Sequence, residues 1–338
     1  VQTGDVKRAG LYLTEYEQTY SEAGLAQSRL WPAGTLCITI AANIAETAIL
    51  GIDACFPDSI IGFIADPDKA DTRFVKYLFD AVLKRRFRSF TQGAAQDNLS
   101  QEKLLSMKFP VPELSIQKRI ADILSAYDEL IDVNRRRIAL LEDAARLLYR
   151  EWFVHFRFPG CERVKIVDGL PEGWQRQPFG KIAELHYGKA LKQEDRVNGP
   201  FPVYGSSGIV GTHQTALVEG PAIIVGRKGN VGSVFWSPTD FWPIDTVYFV
   251  PKDQADFWLY LALPSAGFQN TDAGVPGLNR DFAYSRRLTR PPERLRRLFN
   301  KTVEPMFAQR VTLEIYNRKL AQARDLLLPR LMSGEIVV

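Results

Sequence analysis

The sequence contains an internal repeat, which constrains the fold more than any single motif because both copies must satisfy the same structure. Residues 34–64 and 220–250 follow one order: an apolar strand, an Asn-containing turn, a second strand, then an aromatic residue with proline before a third strand. Two matched pairs are each separated by 187 positions: Asn43 with Asn230, and Asp58 with Asp245. We therefore expect two similar sheets.

Both copies then continue into helices. A short amphipathic helix is predicted over Arg73–Phe87 in the first copy and over Ala255–Leu263 in the second. The segments that follow align with an offset of 179, which gives two further pairs: Leu99 with Leu278, and Pro112 with Pro291. A long helical segment comes after each proline. The repeated unit is thus a compact αβ module followed by a long helix.

The two long segments each predict a helix of about 40 residues. The first, Glu113–Phe153, contains no Gly or Pro and carries apolar residues three and four apart along one stripe. Such a helix would span roughly 60 Å. The second, Glu293–Gly334, has a similar stripe that Pro305 and Pro329 interrupt. Because a long apolar stripe needs a partner, we expect the two helices to pack on each other.

Composition excludes several classes of protein. Of the 338 residues, 46% are hydrophobic and 24% charged, which is typical of a globular chain with room for two domains. The net charge of +4 permits a nucleic-acid partner without indicating one. Three cysteines without a CxxC pair favour a reducing compartment, which we expect to be the cytoplasm, and predict neither disulfides nor a zinc site. No apolar run predicts a membrane span or a signal peptide.

The two copies differ in length. About 50 residues precede Gly220 in the second module, beginning with LPEGW, whereas 33 residues precede Gly34 in the first. We therefore expect the first module to lack its N-terminal part. The predicted domains are a first, N-terminally incomplete module at 1–112, a first long helix at 113–153, a linker at 154–169, a second module at 170–292 and a second long helix at 293–338.

Several segments together resemble one protein family. In chain order they are REWFVHFRFPG at 150–160, LPEGW at 170–174, GPAIIVGRKGNVGSV at 220–234, LNRD at 278–281 and PPE at 291–293. With their order and the duplication, the chain is similar over nearly its whole length to the DNA specificity subunits of type I restriction-modification systems. The short start of the first module departs from that pattern.

This resemblance implies an α+β fold with two similar mixed α/β target recognition modules, related by a pseudo-two-fold and separated by two long antiparallel coiled-coil helices. It implies that each module recognises one half of a bipartite, asymmetric site in double-stranded DNA, and that the helices dock two methyltransferase subunits. Whether restriction subunits also bind is left open. No cofactor is expected on this chain, because S-adenosylmethionine and ATP would belong to partner subunits, and no membrane partner is expected.

In the first module, candidate DNA contacts lie at the end of the short helix and in the loop after it. Basic side chains there would anchor phosphates beside amides that reach bases, although such a run is equally typical of a solvated helix face. The candidates are Lys84, Arg85, Arg86, Arg88, Gln92, Gln96 and Asn98.

In the second module, the segment GRKGNVGS at 226–233 does not fit the phosphate-loop pattern and predicts a hairpin turn. Basic side chains projecting from that turn could meet a DNA phosphate or base edge. The Gly-, Ser- and Tyr-rich segment 202–213 is either a β meander alone or one that also contacts DNA. The candidates in this module are Tyr204, Ser206, Ser207, Arg227, Lys228, Asn230, Asn279 and Arg280.

Catalytic motifs are not found. The Asn/Asp-Pro-Pro-aromatic turn of amino-methyltransferases does not occur, and the lysines after Pro57 and Asp58 lack the carboxylate that a magnesium-dependent nuclease needs two residues earlier. The three histidines have no metal-ligand spacing. We expect a non-catalytic DNA-recognition subunit. The alternative is a structural adaptor whose modules bind protein or are degenerate, and a cryptic enzyme has the least support.

Overall fold

The computed structural model describes the backbone of residues 1–90, 99–271 and 277–338, and the side chains of these residues except 83–90. The chain forms two compact units. The first unit comprises Val1–Arg137 with Leu313–Val338, and the second unit comprises Ile138–Thr312. Each long helix contributes one part to each unit.

The first unit contains a four-stranded sheet. Its elements, up to the first long helix, are α1 (Thr3–Arg8), β1 (Tyr12–Leu13), α2 (Glu22–Ala26), β2 (Leu36–Thr39), β3 (Thr47–Leu50), β4 (Ile60–Phe63), α3 (Thr72–Phe90), α4 (Gln101–Ser106) and α5 (Leu114–Phe153). The strand order is β1-β3-β2-β4. Strand β1 is parallel to β3, and the other neighbours are antiparallel.

The second unit contains a larger module. Its elements and the second long helix are β5 (Ile166–Val167), β6 (Leu170–Pro171), β7 (Gln175–Pro178), β8 (His186–Tyr187), β9 (Phe201–Gly205), β10 (Gly208–His213), β11 (Ala222–Gly226), β12 (Val234–Ser237), β13 (Trp242–Pro243), β14 (Val247–Val250), α6 (Phe257–Ala262), α7 (Arg280–Ser285), β15 (Arg287–Arg290) and α8 (Glu293–Met332). The main sheet has the order β12-β11-β14-β8, and a second sheet has the order β10-β9-β13.

The repeat is confirmed at the level of strand register. Strands β2, β3 and β4 correspond to β11, β12 and β14 at the offset of 187, and every pairing among the first three recurs among the second three. For example, Leu36 pairs with Ile49 and Phe63, and Ile223 pairs with Trp236 and Val250. The sheets differ in their fourth strand, which is β1 beside β3 in the first unit and β8 beside β14 in the second.

The offset of 179 is also reproduced. Helices α4 and α7 are both six residues long and begin one residue after a capping side chain. The Oγ of Ser100 accepts from the N–H of Lys103 (3.2 Å), and the Oδ1 of Asn279 accepts from the N–H of Asp281 (2.8 Å). These side chains satisfy backbone donors that have no partner within the helix.

Helices α5 and α8 are each 40 residues long and lie at the same offset of 179. Helix α8 runs through Pro305 and Pro329 without ending. Within each unit the two helices pack antiparallel. In the first unit the Nδ2 of Asn134 donates to the Oδ1 of Asn317 (2.9 Å). In the second unit Arg310 forms a salt bridge with Glu142 at 3.0 Å.

Amide side chains of the long helices hold the modules in place. The Oε1 of Gln117 accepts from the N–H of Asp71, just before α3, at 3.2 Å. The Oδ1 of Asn300 accepts from the N–H of Trp258 in α6 at 2.9 Å. In both units, a long helix therefore anchors the start of the short module helix.

The segment 154–169 is expected to be an extended linker, and most of its residues are exposed, but one of its aromatic side chains packs on the core of the second unit. Phe158 is 7% exposed and lies 5.4 Å from Trp174, ring centroid to ring centroid. Trp174 also packs on Phe153 at the end of α5 (5.7 Å). Burial of the Phe158 ring removes a large apolar surface from water, and this favourable transfer explains why the side chain packs inward.

The part of the chain that the structure describes contains no helix with the length and hydropathy of a membrane span.

Candidate nucleic-acid interface

The candidates of the first unit lie outside the described residues. The backbone of α3 is described to its end, but the side chains of Lys84, Arg85, Arg86 and Arg88 are not, and Gln92, Gln96 and Asn98 are not described at all. These seven residues stay predictions.

In the second unit, residues 227–233 form the loop between β11 and β12. The N–H of Gly226 donates to the carbonyl of Ser233 (2.7 Å), and the N–H of Gly232 donates to the carbonyl of Gly226 (2.9 Å). Gly229 and Gly232 have φ of +77° and +78°, where residues with a Cβ are strained. A Cβ on Gly226 would overlap a carbonyl oxygen across the loop. Backbone hydrogen bonds and the glycine positions therefore determine the conformation of this loop.

The first unit has the same loop with different side chains. Ala42 and Ala45 have φ of +61° and +64° at the positions of the two left-handed glycines. Ile40 and Ala41 occupy the positions of the two basic residues. The two left-handed positions are therefore common to both loops, whereas basic residues within the loop occur only in the second unit.

Beside the loop, two arginines lie over one exposed tyrosine. Tyr187 in β8 is 51% exposed. The Cζ of Arg227 is 5.1 Å and the Cζ of Arg280 is 5.3 Å from the centroid of its ring, both within range of a cation–π interaction. The ring of Tyr187 also packs edge-on against Tyr248 at 5.0 Å. We call Tyr187, Arg227 and Arg280 the arginine–tyrosine cluster.

The backbone before Arg280 is held from two sides. The N–H of Leu278 donates to the carbonyl of Arg227 (2.8 Å), and the hydroxyl of Tyr248 donates to the carbonyl of Leu278 (3.0 Å). Burial, together with the neighbouring Tyr187, raises the pKa of Tyr248 to about 12, so this hydroxyl remains a donor at neutral pH. These bonds fix the point from which Arg280 projects.

Of the remaining candidates of the second unit, some are buried in the core and others are exposed to solvent. Tyr204 is 5% exposed and packs edge-on against Phe241, so its ring serves the core. Ser206 is 9% exposed, and its Oγ accepts from the N–H of Asn230 (3.4 Å). Ser207 and Asn230 are exposed at the turns.

The Asn279 side chain is committed to capping α7, as described above. Lys228 is half-buried, and its backbone N–H donates to the carbonyl of Thr246 (3.0 Å). Sequence reasoning missed Tyr187. Nothing near it in the chain connects it with Arg280, which lies 93 positions later, and only the fold brings the two together.

The charge of this surface is not neutralised locally. Among the described residues, no carboxylate forms a salt bridge with Arg227, Lys228 or Arg280. The Nη1 of Arg227 donates to the carbonyl of Asp245 (3.0 Å), which holds that side chain in place. The surface therefore offers guanidinium and ammonium donors to an anionic ligand. No cluster of three metal-ligating side chains occurs among the described residues.

The sequence model described as "Type I restriction modification DNA specificity domain" matches residues 3–143 and 171–274, which are most of the chain. The chain belongs to this family. The two matched segments fall on the two repeats, so the family assignment and the strand register agree.

Curated members of the DNA specificity family extend the likeness to nearly the full length. The MjaIX specificity subunit of Methanocaldococcus jannaschii is 22% identical over 97% of this chain and 84% of its own length. The HindI specificity subunit of Haemophilus influenzae is 23% identical over 76% of this chain and 74% of its own length. The crystal structure of a type I restriction-modification S subunit from M. genitalium aligns with a TM-score of 0.55 at 17% identity, over 90% of this chain and 84% of that one. That alignment shows a shared fold.

Proposed function

We propose that this chain is the sequence-recognising subunit of a type I restriction-modification complex. In this proposal each module contacts one half of a bipartite, asymmetric site in double-stranded DNA. The observation that carries it is the pair of sheets with one strand register and unlike loops, Ile40 and Ala41 in one and Arg227 and Lys228 in the other. A shared scaffold with different exposed side chains suits two different half-sites.

The long helices would dock two methyltransferase subunits. Exposed apolar side chains on α5 support this assignment, because a partner subunit could bury them. They are Ile123, Leu130 and Val133 in the first unit, and Leu140 and Leu147 in the second unit. Exposed apolar side chains that recur along one helix are typical of a surface that binds another protein.

We further propose that catalysis belongs to the partners. This chain would position DNA in the cytoplasm, and the methyltransferase subunits would bind S-adenosylmethionine. The known relatives are named specificity subunits, which supports a role in recognition.

A methylation map tests the proposal. The chain should be coexpressed with its methyltransferase in cells that lack other methylation systems, and modified positions should be mapped across the genome. We expect two short specified segments separated by a fixed gap. One continuous segment, or no sequence preference, would refute a bipartite reader.

The salt dependence of DNA affinity distinguishes a DNA-recognition subunit from a structural adaptor. A complex that contacts several phosphates should lose affinity steeply between about 50 and 200 mM salt. An adaptor would bind DNA no better than its methyltransferase partner alone at any salt concentration.

The docking assignment has its own test. Leu140→Glu should abolish copurification of the methyltransferase, because it places a charge in an apolar contact. Ala139→Glu adds the same charge at the neighbouring exposed position and should preserve copurification. Equal retention by both variants would exclude this face of α5 as the docking surface.

A further inference from the structure

We infer that Arg280 recognises a guanine in the half-site of the second unit, and that Tyr187 holds its guanidinium in the orientation for that contact. This inference rests on the proposed function, since it assumes that the second unit binds DNA. It adds the identity of one base and of the side chain that selects it.

The two arginines of the cluster are not equivalent. Arg227 is half-buried and its Nη1 is bonded to the carbonyl of Asp245. Arg280 is exposed and, in the described part of the chain, its guanidinium has neither a hydrogen-bond acceptor nor a carboxylate partner. Among the described residues its five N–H donors are therefore available to a ligand, whereas Arg227 donates to the carbonyl of Asp245.

The ring of Tyr187 makes the free guanidinium selective. An unsupported arginine side chain loses conformational entropy when it binds a ligand, because several of its bonds can no longer rotate, and this loss lowers the affinity. Here the Cζ of Arg280 lies 5.3 Å from the Tyr187 centroid and 6.0 Å from the Tyr284 centroid. Two aromatic rings restrict where the planar group can go while its N–H edges stay exposed. Tyr187 is in turn held against Tyr248 in the core.

The chemistry of the guanidinium favours guanine. Its paired N–H groups match the O6 and N7 acceptors that guanine presents in the major groove. Adenine presents a donor in place of O6, so a second N–H would face another N–H. The corresponding residue of the first unit, 179 positions earlier, is the exposed Gln101, whose amide suits a different base. The two half-sites should thus differ at this contact.

The test uses the complete complex with its methyltransferase and a duplex that carries the mapped recognition sequence. Each guanine is replaced in turn by 7-deazaguanine, which removes the N7 acceptor and leaves base pairing intact. Affinity is measured for the unchanged chain, Arg280→Ala, Arg280→Lys and Tyr187→Ala. Arg176→Ala is the control, because Arg176 is exposed on β7 of the same unit and its loss removes the same charge.

We expect one guanine whose replacement weakens binding by the unchanged chain by about 5- to 150-fold. The same replacement should not weaken DNA binding by Arg280→Ala any further. It should weaken binding by Arg280→Lys only slightly, because lysine keeps the charge but lacks the paired N–H donors. Tyr187→Ala should reduce the effect as well. Arg176→Ala should retain it fully.

Two results would overturn the inference while leaving the proposed function intact. The first is specific DNA binding in which no guanine is coupled to Arg280. The second is equal weakening of all sequences by Arg280→Ala, with Arg280→Lys restoring affinity, because that pattern identifies a phosphate contact. If the unchanged chain has no sequence preference at all, the proposed function itself fails.

Discussion

Asp128 is the carboxylate whose removal should most weaken the first unit. It is 6% exposed on α5, accepts a hydrogen bond from the Tyr77 hydroxyl of α3 (2.6 Å) and forms a salt bridge with Arg324 of α8. One side chain therefore joins three helices. Burial and the adjacent carboxylate raise the pKa of Tyr77, so the hydroxyl keeps its proton and remains a donor.

Asp128→Ala would leave the Tyr77 hydroxyl without an acceptor and Arg324 without its buried partner. Removing one member of a buried ion pair costs about 3–5 kcal/mol. Arg324 is 26% exposed and also contacts Asp325 at 2.7 Å, so the lower end applies. We expect the free energy of opening in this region to fall by about 3 kcal/mol, which corresponds to roughly 100-fold faster amide exchange.

Hydrogen exchange measured by mass spectrometry would detect this change locally. Peptides covering 72–82 and 320–332 should exchange faster, while peptides covering 247–262 in the second unit serve as an internal reference. Tyr77→Phe removes one hydrogen bond but keeps the ion pair, so it should cost only about 1 kcal/mol. A less than tenfold change for Asp128→Ala would refute the view that this carboxylate links the three helices.

Three further predictions concern the loop and the cysteines. Arg227→Ala combined with Lys228→Ala should weaken DNA binding and lower the salt dependence by up to about two phosphate contacts in a titration, with an unchanged circular dichroism spectrum; undiminished affinity would remove the loop from the interface. Gly226→Ala should destabilise the second unit by about 2 kcal/mol or more in urea unfolding, because its Cβ meets a backbone carbonyl. Burial raises the pKa of Cys37 to about 12, so this thiol should resist alkylation at pH 8 until the chain unfolds, while the more accessible Cys161 reacts first.

Much of the scaffold could be predicted because the sequence contains two copies of it. The offset of 187 matches β2, β3 and β4 with β11, β12 and β14, and the paired residues of the two sheets are also related by this offset. Both long helices lie within two residues of their expected ends. Apolar periodicity is a strong signal over 40 residues, and a repeated pattern is stronger still.

The structure also shows where a local pattern misleads. Asn134 is a polar residue in the apolar stretch of α5, yet it is 4% exposed and its amide donates to Asn317 on the opposite helix. A single polar residue is buried cheaply when its partner is another amide, and the partner lies 183 positions away. Conversely, Ile123 and Leu130 are apolar residues of the same helix, and both are exposed.

The candidate interface could be predicted less well. Residue type suggests which side chains could contact DNA, but strand pairing decides whether a side chain such as Tyr204 faces the core or the solvent. The arginine–tyrosine cluster joins residues from β8, the β11–β12 loop and α7, so no window of sequence contains it. Where two loops share a backbone conformation, their binding properties differ only through their side chains.

The common loop between β2 and β3, and between β11 and β12, has a practical consequence. Its stems keep one register, and its two left-handed positions are filled by alanine in one unit and by glycine in the other. Residues 227–232 could therefore be transplanted to positions 40–45, because glycine adopts both left-handed conformations without strain and the stem residues stay unchanged. Under the proposed function, such an exchange would alter the recognised half-site through a few codons while the framework stays untouched.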